Sequence, residues 1–331
     1  MNNFTYTRAT SLSDAVNQAV ADQNSMFIAG GTNVVDRLKV FLDQPSQLID
    51  ISRLQMQQIE LMADGSLRLG ALVSNTAVAD HSDIRRNYPI LARAILSGAS
   101  QQIRNLATVG GNLLQRTRCP YYYDTAFACN KRQPGTGCPA ITGINRTHAI
   151  LGASEDCVAV HPSDMCVALA ALDAVVEVES SQGQRQIPFV DFHRLPVNTP
   201  QQDTNLEPGE LITAVVLPPA SFAKSGVYLK IRDRASYSFA LVSVAAAVNL
   251  EGEQINAVRL AMGGVAHKPW RATAAEEFLI GKSADATHFT QAAEIALQEA
   301  KPLTHNSYKI ELVKRAIRRA LTISAQAGGL V

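Results

Sequence analysis

Residues 26–33 read Met26-Phe27-Ile28-Ala29-Gly30-Gly31-Thr32-Asn33, and the fold around them follows from how they are read. A short apolar strand runs into a double glycine and then into a helical stretch, Val34 to Phe41, which Pro45 ends. Leu48-Ile49-Asp50-Ile51 follows as a second strand, so the segment predicts a compact βαβ unit. Two glycines admit backbone angles closed to other residues and let the main chain approach a ligand. The helix start beyond them offers unpaired N–H groups that suit a pyrophosphate. Thr32 and Asn33 add side-chain donors. The pattern is not G-x-G-x-x-G, and a lone Gly-Gly turn is most often only a turn. A second turn of the same kind, Ala107-Thr108-Val109-Gly110-Gly111-Asn112, changes the balance. Two of them in one α+β region can cradle the phosphates of a dinucleotide from both sides.

Outward from these turns the chain alternates strand and helix. Before them, Phe4–Tyr6 reads as a strand and Ser11–Asp22 as an amphipathic helix capped by Ser11. Between them lie a strand at Ser66–Leu72 and helices at Ser74–Ser82 and Pro89–Ser97. After a long irregular stretch, Ser163–Ala174 reads as a helix with Met165, Leu169 and Leu172 on one face. Val175–Glu179 and Arg185–Phe189 read as a hairpin, and Ile212–Leu217 as a strand ending at Pro218-Pro219. Beyond that boundary, strands at Gly226–Arg232, Ser238–Leu250 and Ile255–Met262 precede helices at Ala272–Ile280, Thr287–Ala300 and Tyr308–Gln326. This tail predicts a small antiparallel sheet with helices on one side.

Size and charge narrow the function. The chain has 331 residues, 47% of them hydrophobic, enough for two or three domains with real cores. A net charge of +1 gives no global field toward nucleic acid or membrane. The basic face of the last helix (Lys309, Lys314, Arg315, Arg318, Arg319) reads as solvated surface. Met1–Thr10 shows no basic or apolar segment of a signal peptide, and no run reaches the roughly 18 apolar residues of a membrane span. The expected compartment is the periplasm only by co-export with a signal-bearing partner, and otherwise the cytoplasm.

The irregular stretch, 113–160, concentrates the remaining chemistry. Pro120, Pro134, Gly135, Gly137, Pro139 and Gly143 break any helix there, and Ala149–Leu151 is read as a short strand. A loop this long is usually functional. All five cysteines fall at Cys119-x9-Cys129-x8-Cys138-x18-Cys157-x8-Cys166. Clustering in one loop of a large chain favours a metal centre over a disulfide framework. Four thiolates suit a [4Fe–4S] cluster or a zinc tetrahedron, and the close C-x2–4-C pairs usual for zinc fingers are absent. Cys119, Cys129, Cys138 and Cys157 lie in the irregular segment, while Cys166 falls inside a helix and reads as a core residue. His148 and His161 lie nearby, and neither is assigned to metal.

Five segments carry a family likeness in order: Ile28–Lys39 (IAGGTNVVDRLK), Ala107–Leu114 (ATVGGNLL), His161–Ala174 (HPSDMCVALAALDA), Leu206–Leu217 (LEPGELITAVVL) and Tyr228–Ser243 (YLKIRDRASYSFALVS). Together they resemble the FAD-binding medium subunit of the molybdenum hydroxylases, the xanthine dehydrogenase family. The cysteine-bearing insertion resembles the branch with bacterial periplasmic aldehyde oxidoreductase, the nearer likeness, and hydroxybenzoyl-CoA reductase. FAD subunits of that branch bind an extra [4Fe–4S] cluster.

The resemblance implies an α+β fold. A two-part FAD-binding domain of the vanillyl-alcohol-oxidase (PCMH) type would occupy 1–220, split at 60/61 and carrying the iron–sulfur insertion 113–160. A smaller α/β C-terminal domain would occupy 221–331. It also implies a heterotrimer. A large subunit holds the molybdenum cofactor, a small subunit holds two [2Fe–2S] clusters, and this chain passes electrons through FAD to an external acceptor.

Residue by residue, the likeness assigns Ala29, Gly30, Gly31, Thr32 and Asn33 to the first FAD loop and Thr108, Gly110, Gly111 and Asn112 to the second. Asp164 would contact the cofactor, although an acid in the first turn of a helix is also favoured by the dipole. Lys230 would sit near the flavin ring, Leu211 or Ile212 would pack on it, and Tyr237 would lie over its face. Read without the likeness, Lys230 is a surface lysine, and Leu211 and Ile212 are core. A metal-loop scaffold without catalysis is the reading of another class, and intact FAD loops argue against it.

Overall fold

The computed structural model describes residues 1–219 and 221–328; the expected domain limits at 220 and 331 fall outside them. Three sheets organise the chain. The first is parallel, in the order β1 (Thr5–Arg8), β3 (Gln47–Asp50), β2 (Ser25–Ile28). Helix Leu12–Ala21 joins β1 to β2, with Ser11 accepting from the Asp14 amide as its cap. Helix Val34–Lys39 joins β2 to β3, giving the βαβ unit expected from residues 26–51.

The second sheet is antiparallel, in the order β4 (Ile59–Leu61), β5 (Leu67–Gly70), β8 (Leu211–Leu217), β6 (Val175–Ser180), β7 (Gly183–Pro188). Between β5 and β6 the chain makes a layer of short helices, then the cysteine loop, then helix Asp164–Ala171. The first two sheets share one apolar core with that helix and with Pro89–Ser97.

The third sheet runs β12 (Trp270–Arg271), β11 (Gln254–Gly263), β10 (Val242–Glu251), β9 (Val227–Ile231), all antiparallel. Helices Thr273–Leu279, Ala286–Ala296 and Tyr308–Gly328 cover one face and form a second core with it. The other face is not open, as a sheet with helices on one side would be. Helix Asp164–Ala171 lies against it, and Tyr228, Ala245 and Ala261 join the first core there. All eight residues of that helix are buried, because the sheet packs on one side and helix Pro89–Ser97 on the other. An apolar stripe on one face would not have sufficed, and the sequence is apolar all round.

Two local expectations are corrected. Ala149–Leu151 is not a strand: the amides of Ile150 and Leu151 both donate to Val265 O, and their side chains enter the second core. The insertion is thereby pinned to the C-terminal unit. The second glycine turn is the start of a short helix, Val109–Leu113, capped by Thr108, which accepts from the Gly111 amide. Its first amides are already engaged, Val109 with Val73 O and Gly110 with Ala71 O.

Candidate functional site

The first glycine loop leaves β2 and meets the second loop directly. A Cβ on Gly30 would lie 1.8 Å from Leu106 O, so only glycine lets the main chain pass there. Gly31 adopts φ +70°, the left-handed region glycine occupies without strain. Among the described residues nothing accepts from the amides of Gly30, Gly31, Thr32 or Asn33. The Asn33 side chain is held by its oxygen, which accepts from Arg37 and from the Arg116 amide, while its buried Nδ2 has no partner. Buried polar groups are normally paired. A row of free amides beside an orphaned amide donor therefore offers a cradle of several N–H groups that could hold an anion.

Two pockets of about 450 Å3 each meet at this cradle and share Thr32, Asn33, Gly111 and Gln115. One is lined by Ala29, Gly30, Gly31, Thr108, Gly110, Leu211 and Ile212. The other extends past Asn112 to Asp164, Lys230 and Tyr237. All thirteen expected cofactor residues thus border one elongated cleft. They divide between its ends, with Leu211 and Ile212 on the opposite side of the cradle from Lys230.

The Lys230 end is charged, and its central ion pair is buried. Lys230 Nζ donates to Asp164 Oδ2 at 2.8 Å and to Ser97 O at 3.1 Å, with side-chain exposures of 4% for Lys230 and 9% for Asp164. Tyr228 OH donates to Asp164 Oδ1 at 2.6 Å. Burial pushes the Asp164 carboxyl up, and Lys230 and Tyr228 oppose that only in part. Lys230 is therefore a neutralised partner of Asp164 rather than a free surface cation. Tyr228 was missed from sequence. Its signal was present, because residues two apart on a strand share a face and Tyr228 and Lys230 both reach Asp164.

The four insertion cysteines line one small pocket together with Asn130, Lys131, Pro139 and Asp156. None is in a disulfide. Burial pushes Cys119 up to about 12 and Cys157 up to about 11, and the thiols raise one another further. Backbone amides favour the ionised sulfurs: those of Tyr122 and Tyr121 at Cys119, Val158 and Ala140 at Cys138, and Ala159 at Cys157. Cys119, Cys138 and Cys157 thus already have backbone donors in place for a thiolate. Cys166 lies apart from them, fully buried in the first core.

A second buried group also escaped sequence reasoning. Donor atoms of His161, Cys166 and His193 lie within 4.8 Å of one another. His193 Nε2 pairs with Leu113 O, and His161 Nδ1 accepts from the Ser163 amide. Close by, Asp203 holds Arg116 and Lys131. Nothing in the spacing of residues 131, 161, 193 and 203 announces that they meet.

Residues 2–220 match the family model described as the FAD binding domain in molybdopterin dehydrogenase. The chain belongs to the FAD-binding medium subunits of the xanthine dehydrogenase family. Residues 227–323 match the CO dehydrogenase flavoprotein C-terminal domain. The chain is 49% identical to the aldehyde oxidoreductase FAD-binding subunit PaoB of Escherichia coli (strain K12), over 97% of this chain and 98% of that one. It is 29% identical to the glyceraldehyde dehydrogenase medium chain of Sulfolobus acidocaldarius, over 94% of each. Among solved structures, quinoline 2-oxidoreductase from Pseudomonas putida 86 superposes with a TM-score of 0.76 at 25% identity, covering 99% of this chain and 98% of that one. Carbon monoxide dehydrogenase from Hydrogenophaga pseudoflava shares the fold, with a TM-score of 0.77 and 98% of each chain covered. This medium subunit is thus part of an oxidoreductase system, and its two-part architecture is the family's.

Proposed function

We propose that this subunit binds FAD along the cleft and one [4Fe–4S] cluster in the insertion, and serves a molybdenum-dependent aldehyde oxidoreductase. The observation that carries the flavin reading is the cleft itself, with free amides and the orphaned Asn33 donor at its waist. Residues 29–33, with Gly111 and Asn112 opposite, would hold the pyrophosphate. With the isoalloxazine at the Lys230 end, Leu211 and Ile212, across the cradle, would pack against the adenosine half and not on the ring as the likeness implies. Bound FAD supplies the chemistry of accepting electrons from iron–sulfur centres and releasing them singly or in pairs. The chain's own part is to exclude water from the ring, to fix the phosphates, and to hold the Lys230–Asp164 pair beside the ring.

For the cluster, the donor set supports iron over zinc. Zinc with bonds of roughly 2.3 Å would bring four sulfurs to about 3.8 Å of one another. Among the described residues, no three of the insertion sulfurs lie within 4.8 Å. A cubane takes one thiolate at each of four irons and asks for a wider frame. Cys119, Cys129, Cys138 and Cys157, which line one pocket, are the thiols available to it. The likeness to the aldehyde oxidoreductase subunit supports aldehyde as substrate. It also supports assembly with a large molybdenum-cofactor subunit and a small subunit carrying two [2Fe–2S] clusters.

The test is anaerobic addition of aldehyde to the purified complex while the flavin absorbance is followed. Bleaching in the complex, but not in a complex whose large subunit lacks its cofactor, is the expected result. Flavin that stays oxidised in both, or a complex without flavin, removes the proposal.

A further inference from the structure

One buried histidine of the insertion is in direct contact with a cluster cysteine and takes no part in the reading above. His148 Nε2 lies 3.1 Å from Cys119 Sγ. The residue is 3% exposed, and its other ring nitrogen, Nδ1, is buried without a partner. A thiolate can only accept, so the nitrogen facing it carries the hydrogen and Nδ1 keeps its lone pair.

The position of the ring is set from outside the insertion. His148 O accepts from Lys309 Nζ at 2.9 Å and from Asn306 Nδ2 at 3.2 Å. The same ammonium also binds Thr147 O at 2.9 Å and Gly264 O at 2.7 Å, and Lys309 is fully buried. Asn306 Nδ2 reaches Ala149 O as well, and Asn145 Oδ1 accepts from the His305 amide. Residues 305–309, in the turn that leads into the last helix and in its first residues, thus grip residues 145–149. A lysine that reads as part of a solvated basic face is instead a clamp on the metal loop.

We propose that His148 donates its Nε2–H to the Cys119 thiolate and so raises the reduction potential of the insertion's cluster, with Lys309 and Asn306 holding the ring in place. Adding one electron makes the thiolate-bound cluster more negative. A hydrogen-bond donor on a ligand sulfur favours that state. His148 is a positioning and tuning residue, not a ligand, because four thiolates already serve the four irons. The inference rests on the cluster reading of the preceding section.

The experiment uses the intact complex with His148→Leu and His148→Gln, assayed for iron and flavin and then titrated electrochemically with mediator dyes while the cluster's EPR signal is read. Wild-type complex labelled with 15N-histidine is examined by pulsed EPR. His148→Leu keeps its iron and FAD, and at a fixed potential its ratio of reduced to oxidised cluster falls about tenfold, equal to 59 mV for one electron. His148→Gln, whose amide N–H can replace Nε2–H, stays near wild type, and the wild-type cluster shows a histidine nitrogen coupling. An unshifted midpoint in His148→Leu, equal shifts in both variants, or no nitrogen coupling in wild type overturns the inference. If His148→Leu loses its cluster, the wild-type coupling decides alone. An iron-free wild-type subunit removes the cluster reading and this inference with it, whereas an iron-loaded subunit with an unshifted midpoint removes this inference only.

Discussion

Replacing Lys230 with methionine isolates the electrostatics of the charged end of the cleft. The change keeps the aliphatic stem and removes the ammonium that lies 2.8 Å from Asp164 Oδ2. Ser97 O is not orphaned, because Arg232 also donates to it at 3.0 Å. Asp164 keeps the Tyr228 hydrogen bond and the more distant charge of Arg232. Breaking a buried pair from one side costs about 3–5 kcal/mol. Protonation sets a ceiling: a carboxyl of ordinary pKa about 3.9 that takes up a proton on folding costs roughly 4 kcal/mol at pH 7, at 1.36 kcal/mol per unit. The expected loss is therefore about 3–4 kcal/mol at pH 7.

The sign with pH follows from the same proton. In the variant the folded state holds a proton that the unfolded state has lost above pH about 3.9, so the penalty shrinks by up to about 1.4 kcal/mol for each unit the pH falls. Hydrogen exchange at the amides of helix Asp164–Ala171 reads the local opening directly. Protection should fall by a factor of about a hundred to a thousand at pH 7, and by less at pH 5 once intrinsic exchange is corrected. Lys230→Met with Asp164→Asn, which leaves no buried charge, should regain all but about tenfold. Protection within threefold of wild type in the single variant would refute the pairing of these two groups.

Other expectations follow from the same geometry. Gly30→Ala drives a Cβ into Leu106 O, so the purified complex should lose at least about tenfold in FAD content while far-UV dichroism is unchanged; full flavin would contradict the close approach. Cys166→Ala should keep all iron and cost only about 1–2 kcal/mol in thermal or urea stability, as a small core truncation does. Burial holds His193 and His267 down at about 4 and His161 well below its usual value. Their folded forms stay neutral while the unfolded chain takes up protons below about 6.5, so stability falls from there toward pH 4, by up to roughly 3 kcal/mol for His193 and for His267. A dichroism-monitored acid titration that stays flat over this window would contradict their burial. Asp203 is pushed up by burial, but Arg116, Lys131 and His267 more than reverse it. Its contribution is present above pH about 4 and is lost only on further acidification, so Asp203→Asn should remove the lowest-pH part of the acid transition.

What could be read from sequence follows the range of the interactions. Residues 26–51 declared a βαβ unit because strand, glycine turn and helix are local patterns, and the pairing of β2 with β3 is as expected. The cleft was legible where its backbone shape demands glycine, as at Gly30. The strand order β4-β5-β8-β6-β7 was not, since pairings such as Leu67 with Leu217 join distant segments that carry no mutual signal. The second glycine turn misled because its amides, which look free in sequence, are taken by Val73 O and Ala71 O from another strand end. Lys309 misled similarly: its helical neighbours Lys314, Arg315, Arg318 and Arg319 define a basic face, but carbonyls from residues 147, 148 and 264 enclose its ammonium. Asp203, Lys131 and Arg116 meet through the folding of two long loops, for which sequence has no period.

One chain is proposed to carry both FAD and a [4Fe–4S] cluster in its cysteine loop. Iron and flavin counted in the purified complex, wild type against Cys138→Ser, test it most directly. About eight irons per complex, four here and two in each [2Fe–2S] partner cluster, should fall to about four in the variant, with one FAD in both. About four irons in both complexes, or zinc displaced by the substitution in place of iron, would contradict it.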